Sequence, residues 1–149
     1  MDYNGRKLVP YIPPAEYDKV AHEFLEQFYP DALKNPMPVP IEEIAKTGLG
    51  LDVKYVCLSE ELEVYGMTIF TDGAVEVYDP GVGLYDTTSF KAKTVLIDPE
   101  AVKKTNTGCR NNTIAHECVH WYKHRYYYKM QKFSLPRYAK YCKCRADQL

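Results

Sequence analysis

The segment between Asn111 and His124 constrains the fold most, because its apolar residues recur with the period of an amphipathic helix. An asparagine directly before an apolar run is also a favourable helix N-cap. At about 100° per residue, His116 and His120 share one face of this helix, and Glu117 lies beside them. The apolar positions lie on the other side, and they are Ala115, Cys118, Val119 and Tyr122. We therefore expect one face of the helix to be buried and the other to present two imidazoles.

Two further helices are expected earlier in the chain. The stretch Ala15–Tyr29 has apolar residues at helical spacing and ends before Pro30, which cannot continue a helix. A second helix is expected to begin at Pro40, a favourable first helical residue, and to end at Gly48.

Four β-type runs follow, and they are Leu51–Leu58, Tyr65–Phe70, Ala74–Tyr78 and Lys93–Asp98. The second and third runs are separated by Thr71-Asp72-Gly73, and Asp-Gly between two such runs favours an antiparallel hairpin. The turn-rich stretch Asp79–Ser89 is expected to be a loop that lines a substrate cleft. The order of helices, strands and a final helix favours an α+β fold with a small, mainly antiparallel sheet.

The length of 149 residues fits a single domain, residues 1–149, whose core requires neither a disulfide nor a metal. The five cysteines form an odd set without a disulfide spacing, which is typical of a reducing compartment, so we expect a cytoplasmic protein. No run approaches the about 18 consecutive apolar residues of a membrane span, and no membrane contact is expected.

Charge is distributed unevenly along the chain. Residues 1–100 carry 8 Lys and Arg against 18 Asp and Glu, whereas residues 101–149 carry 11 against 2. The basic segment Lys123–Arg145 is also rich in tyrosine, and aromatic rings beside cations can stack on nucleic-acid bases. We expect the two sets of charges to neutralise each other within the fold, and we do not expect direct nucleic-acid binding.

The motif His116-Glu117-x-x-His120 indicates a metal site. Residues at i and i+4 of a helix can direct two imidazole nitrogens to one ion at about 2.0–2.1 Å. His116 and His120 are then metal ligands, and Glu117 is the general base that accepts a proton from an activated water. Peptide-bond hydrolysis is the reaction that this pattern most often serves, so we expect a metallo-endopeptidase. Zn²⁺ is the expected metal, and Mn²⁺ or Fe²⁺ is an alternative.

A catalytic zinc site needs a third protein ligand, which the sequence does not identify. His124 lies one turn after His120, but ligands on three consecutive turns span about 12 Å, so we expect His124 to lie behind the ligands and to support them. No Glu follows Glu117, and the remaining candidates are Asp147, Cys142 and Cys144. The simplest interpretation is a fragment whose third ligand follows Leu149.

The segment Ala115–His120 resembles the AHE-x-x-H core of the ImmA/IrrE family of metallopeptidases. A histidine one turn later, as at His124, and an arginine shortly before the motif, as at Arg110, are also frequent in that family. The resemblance covers the order of the upstream elements as well, from the proline-rich stretch to the short strand before the metal helix.

This resemblance implies a zincin-like fold, metal ligation by His116 and His120, and Glu117 as the base. Members of the family cleave helix-turn-helix repressors in mobile elements or stress responses, which implies a transcriptional repressor as substrate. The family's third ligand is a Glu on a later helix, to which no residue here corresponds, and Val119 stands where the family typically has Gly. The alternative function is a catalytically silent zincin-like module that recognises protein or nucleic acid through Lys123–Arg145.

Overall fold

The computed structural model describes residues 12–106, 108–130 and 141–145. Within these ranges the chain is an α+β fold, as predicted. Helices cover one face of a four-stranded sheet, and a separate two-stranded ribbon packs against the other face.

The helices predicted at Ala15–Tyr29, at Pro40–Gly48 and at the His116–His120 motif lie close to the predicted positions, and two short helices, Asp31–Lys34 and Pro99–Lys103, were not predicted. A short 3-10 turn, Pro14–Glu16, leads into the first helix, and the third continues as a π-helical turn at Ile44–Gly48. No described helix combines the length and the apolar character that crossing a membrane requires. The helices are α1 (Tyr17–Phe28), α2 (Asp31–Lys34), α3 (Ile41–Glu43), α4 (Pro99–Lys103) and α5 (Cys109–Met130).

The described strands form two sheets. They are β1 (Asp52–Tyr55), β2 (Val64–Ile69), β3 (Gly73–Asp79), β4 (Leu84–Phe90), β5 (Thr94–Ile97) and β6 (Tyr141–Arg145). The larger sheet has the order β1-β5-β2-β6, and β3 and β4 form the ribbon. The larger sheet is mixed, because β1 runs parallel to β5 whereas β2 is antiparallel to both of its neighbours.

The predicted hairpin between Tyr65–Phe70 and Ala74–Tyr78 is wrong. β2 pairs with β5 on one edge and with β6 on the other, so neither edge is left for β3. All six residues of β2 are buried, because α5 covers one face and the ribbon the other. The connection through Asp72 and Gly73 therefore leads from one sheet into the next.

The prediction of a loop at Asp79–Ser89 is also wrong. β4 begins at Leu84 and pairs with β3 over its whole length, and the hairpin turn lies at residues 79–83. In this turn the Gly83 amide donates to the Asp79 carbonyl at 2.8 Å, and Gly83 has a φ of 75°, which glycine adopts without strain. β4 is almost entirely exposed, and its central residues Asp86–Ser89 are all polar, so it lacks the apolar alternation that predicts a half-buried strand.

Asp98 joins the end of β5 to the start of α4. Its side chain is completely buried, and one oxygen accepts hydrogen bonds from the amides of Glu100 and Ala101 at 3.0 and 3.1 Å. The other oxygen accepts from the Leu58 amide at 2.9 Å. Asp98 therefore acts as the N-cap of α4 and also fixes the chain that follows β1.

We expect Asp98→Ala to lower the free energy of unfolding by about 2–3 kcal/mol, since three buried or capping amides lose their acceptor. Urea unfolding measures this change. The matched control is Asp52→Ala, at an exposed position of β1, for which a change below about 0.5 kcal/mol is expected. Equal stabilities of the two variants would contradict the structural role of Asp98.

Candidate metal centre

Helix α5 packs across β2 and β5, and its buried face differs from the predicted one. Ile114, Cys118 and Trp121 lie in the core, and Trp121 stacks on Phe70 with ring centroids 5.8 Å apart. Burial of Cys118 is as predicted, and it raises the pKa of the thiol to about 12, which makes this cysteine a poor nucleophile. The other predicted core positions are only half-buried, and they are Ala115, Val119 and Tyr122.

The structure brings His116 and His120 together. Their Nε2 atoms are 2.8 Å apart, and both side chains are half-buried. The Nδ1 atom of His120 lies 3.2 Å from Nδ1 of His124, which is buried. Two sets of tautomers satisfy both contacts: either His116 donates from Nε2 to His120 and His120 donates from Nδ1 to His124, or both hydrogen bonds run in the opposite direction. In either set one of the two facing Nε2 atoms carries a proton and the other a lone pair.

Both imidazoles of the motif are neutral at ordinary pH. Burial lowers the pKa of His116, and it lowers the pKa of His120 to about 3 with a further contribution from the positive charges that His116 and His124 would acquire. A neutral imidazole offers a nitrogen lone pair, which is the form that binds metal ions.

Glu117 lies on the buried side of α5, beneath the helix and against β2. Its side chain has no exposed surface, and one carboxylate oxygen, Oε2, accepts a hydrogen bond from the Thr68 hydroxyl. The other oxygen, Oε1, has no hydrogen-bond partner among the described residues. A buried polar atom without a partner is uncommon in folded proteins and often marks a functional position.

Gly66 and Thr68 of β2 are site residues that the sequence reasoning missed. A Cβ atom at Gly66 would lie 2.8 Å from Thr113 Cγ2 and 2.9 Å from Glu117 Oε1, so the helix approaches β2 closely only because position 66 is glycine. A glycine within a strand-like run of β-branched, aromatic and other apolar residues was the available signal, since such a glycine often marks a close approach of another element.

Glu117 makes stability depend on pH in the metal-free protein. Burial raises the pKa of this carboxyl from 4.5 to about 8, and the hydrogen bond from Thr68 opposes this only partly. Between these two values the unfolded chain releases the proton while the folded chain retains it. The folded state therefore loses stability as the pH rises from about 4.5 to about 8.

We expect Glu117→Gln to raise the free energy of unfolding of the metal-free protein by about 2–4 kcal/mol at pH 8, because glutamine has no proton to lose. At pH 4.5 the two proteins should be similar in stability. Urea unfolding at both pH values measures the difference, with Glu76→Gln on the exposed side of β3 as the matched control. An equal difference at both pH values would contradict the raised pKa.

Strand β6 brings Cys142 to His120. Cys142 lies opposite Thr68 in the β2–β6 register, and its Sγ atom is 3.7 Å from Nδ1 and 3.9 Å from Nε2 of His120. Cys144 lies opposite Gly66 in the same register, and Asp147 lies outside the described residues. Within residues 12–106, 108–130 and 141–145, no three His, Cys, Asp or Glu side chains already stand in the geometry of a metal site.

Arg110 lies in the first turn of α5, half exposed, and forms an ion pair with Glu42 of α3 at 3.5 Å. Arg110 therefore pairs with a helix, on the face of the sheet that the helices cover. An exposed pair of this kind contributes at most about 1 kcal/mol to stability.

A groove of about 640 Å³ runs beside His116, between α1 and α5. Its walls are mainly apolar, and His116 and Asn112 also line it. None of the described residues 79–89 contributes to this lining, so the predicted cleft-lining role of Asp79–Ser89 finds no support in this groove. Its apolar lining side chains are Ile12, Tyr17, Val20, Ala21, Phe24, Leu25, Val39, Ile41, Ala115, Val119 and Tyr122.

Residues 131–140 of the basic segment Lys123–Arg145 lie outside the described residues. At its start, the Tyr122 ring packs edge-on against Phe24 and Phe28, and its hydroxyl donates to Gln27 at 3.1 Å. Tyr122 therefore joins α5 to α1 and is not presented as a stacking surface for bases.

No family model matches the chain, and comparison with curated proteins and with solved structures also finds no match. The resemblance to the ImmA/IrrE family therefore remains a prediction from the motif residues.

Proposed function

We propose that this protein is a divalent-metal-dependent endopeptidase of zincin-like architecture, with His116 and His120 as metal ligands and Glu117 as the general base. The observation that supports it best is the pairing of two neutral imidazole nitrogens 2.8 Å apart, next in sequence to a buried carboxylate of which one oxygen has no hydrogen-bond partner among the described residues. Two histidines on the exposed face of a helix, without a site to form, would be surrounded by solvent. His116 and His120 are instead half-buried and in contact with each other.

The two imidazoles fit a divalent ion. In a tetrahedral site with metal–nitrogen distances of about 2.0–2.1 Å, two nitrogens are separated by about 3.3 Å. The observed 2.8 Å requires the rings to part by about half an ångström, which small side-chain rotations provide. When bound, such an ion makes a water molecule more acidic and polarises the carbonyl of the scissile bond.

Glu117 is suited to accept the proton of that water. A positive charge bound by His116 and His120 favours the ionised carboxylate and so lowers the pKa of Glu117 from about 8 towards the range in which it acts as a base. The Thr68 hydroxyl holds one carboxylate oxygen in place and leaves the other able to receive a proton. The chain thus supplies a positioned base whose charge depends on the bound cation.

The groove beside His116 supports a peptide or protein substrate. Its apolar walls suit the apolar side chains of a polypeptide, and His116 brings the metal helix into the same wall. By resemblance to the ImmA/IrrE family, we propose that the substrate is a transcriptional repressor in the cytoplasm.

The proposal is tested with a library of quenched-fluorescent peptides incubated with zinc-loaded protein. We expect cleavage of a subset of peptides, its loss after chelation, and its return when Zn²⁺ is added back. His120→Ala should abolish cleavage, whereas His22→Ala, at an exposed position of α1, should not affect it. Zinc binding without cleavage of any peptide would contradict the enzymatic proposal and favour a silent binding module.

A further inference from the structure

The groove between α1 and α5 has the properties of a site for one class of polypeptide. We propose that it binds an apolar segment of a partner polypeptide that also carries lysine or arginine, and that Asn112 holds the backbone of this segment beside His116. Binding in the groove requires no metal. Only the step from binding to cleavage rests on the proposed function.

The groove exposes apolar surface that folding leaves uncovered. Tyr17 is 55% exposed and Val39 is 36% exposed, although both line the groove, and Ala21, one turn after Tyr17, is exposed as well. The volume of about 640 Å³ lies within the range of about 300–1,000 Å³ that is usual for ligand sites. Removal of this apolar surface from water would stabilise a complex with the apolar side chains of a partner.

The helix that forms one side of the groove is acidic. α1 carries three carboxylates against a single lysine, Lys19, and all four side chains are exposed. The carboxylates belong to Asp18, Glu23 and Glu26, and none of them forms an ion pair with a described residue. A partner that places lysine or arginine beside its apolar residues therefore complements this side of the groove, whereas an acidic partner is repelled.

The opposite side, formed by α5, does not neutralise this charge along the groove. Between Asn111 and Tyr122 the helix contains no lysine or arginine. Arg110, directly before this stretch, pairs with Glu42 at 3.5 Å, and Lys123, directly after it, lies over the Tyr122 ring at 5.4 Å from the centroid. A ligand in the middle of the groove therefore meets mainly the negative charge of α1.

Asn112 supplies a polar contact for a peptide backbone. It lies one turn before His116, at i and i+4 of α5, and both residues line the groove. Its side chain is exposed and forms no hydrogen bond with another described residue. A carboxamide has two donors and an acceptor, so it can pair with the N–H and C=O groups of a peptide. A backbone held by Asn112 passes next to His116, the proposed metal ligand.

Binding is tested by fluorescence anisotropy with the metal-free full chain and a labelled peptide in which pairs of leucines alternate with lysines. A second peptide has glutamate in place of every lysine, and a third has serine in place of every leucine. We expect the first peptide to bind at least about 10-fold more tightly than either of the others, and its affinity to fall as salt is added. Failure of the first peptide to bind, or equal binding of either of the others, overturns the proposal.

Ala21→Trp tests the place of binding, because an indole at this position fills the groove. We expect it to lower the affinity for the first peptide by at least about 10-fold. His22→Trp, at the next residue of α1, is exposed outside the groove lining and should bind normally. Since Ala21 is itself exposed, urea unfolding should show both variants to be folded. Equal affinities of the two variants overturn the assignment of the groove.

Asn112→Ala is expected to weaken binding of the same peptide by about 5-fold, as the loss of a hydrogen bond requires. Unchanged affinity overturns the role of Asn112. Sedimentation of the unmodified protein and of Ala21→Trp checks for a different occupant. Self-association that Ala21→Trp abolishes would make the occupant a second copy of this chain, and the proposal would be wrong.

Cleavage by the zinc-loaded protein reports separately on the proposed function. A peptide that binds in the groove and is not cleaved retains the binding site and contradicts the endopeptidase. Cleavage that Ala21→Trp leaves unchanged retains the endopeptidase and overturns the groove as the site of its substrate.

Discussion

Glu117→Gln is expected to lower kcat for peptide hydrolysis by about 10³-fold, within the range of about 10²–10⁴ that a positioned general base contributes. The glutamine side chain has nearly the same shape and keeps a hydrogen bond with Thr68, but it cannot accept the proton of a water molecule. Because Glu117 is not one of the proposed metal ligands, zinc content should remain unchanged. Steady-state kinetics with a cleaved library peptide, together with elemental analysis of the same samples, measures both quantities.

Glu76→Gln is the matched control, since it makes the same chemical change at an exposed position of the ribbon. Its kcat and zinc content should equal those of the unmodified protein. If Glu117→Gln kept normal turnover, the assignment of the base would be wrong. If it lost zinc together with turnover, Glu117 would have to be a ligand instead.

Gly66→Val is expected to lower the free energy of unfolding by about 4 kcal/mol, at the upper end of the range for overpacked cores. Even the Cβ atom would approach Thr113 and Glu117 to 2.8–2.9 Å, and the two methyl groups of valine add further overlap. Relief of this overlap moves α5 away from β2, which separates Glu117 from Thr68. Metal binding and turnover should therefore fall together with stability, as urea unfolding and a zinc titration can show.

Gly108→Val separates this local effect from the general cost of replacing a glycine. Gly108 is exposed at the start of α5, and a Cβ atom there meets only the Asn106 side chain, at 3.4 Å. We expect the control to cost less than about 1 kcal/mol and to bind zinc normally. A Gly66→Val protein as stable as this control would contradict the close packing of α5 on β2.

The helix that carries the motif could be predicted because the periodicity and spacing that indicate it lie within one continuous segment of the sequence. The i, i+4 spacing of His116 and His120 fixes their common face wherever the helix lies, and the structure brings their rings together. The burial of Glu117 could not be predicted, because it depends on which strand lies beneath the helix. A charged residue at the edge of an apolar face is usually exposed, and only the glycine at position 66 and the hydroxyl of Thr68 make its burial possible.

The strand pairings could not be predicted for a related reason. Thr71-Asp72-Gly73 has the composition of a hairpin turn, yet β2 is buried on both faces and its edges are taken by two strands distant in sequence. The contribution of β6 to the site is equally non-local, since Cys142 reaches His120 through pairing with β2 across more than 70 residues of chain. Such long-range pairing leaves no periodic pattern in a single segment.

The burial of Glu117, the proposed base, lowers the stability of the fold. Its carboxyl is buried, and one of its oxygens has no partner in the part of the chain that the structure describes; ionisation of this carboxyl destabilises the metal-free fold as the pH rises towards 8. Because the same burial raises the pKa of Glu117, the proposed base can be protonated without a cation and ionised when a cation binds nearby. A gain in stability together with a loss of turnover in Glu117→Gln is the trade-off expected at such a position.

Zinc stoichiometry after exhaustive dialysis tests the metal centre most directly. Elemental analysis is expected to find about one zinc per chain in the unmodified protein and in His22→Ala, and almost none in His116→Ala or His120→Ala. An unmodified protein without zinc, or a His120→Ala variant that retains it, would contradict a metal centre on α5.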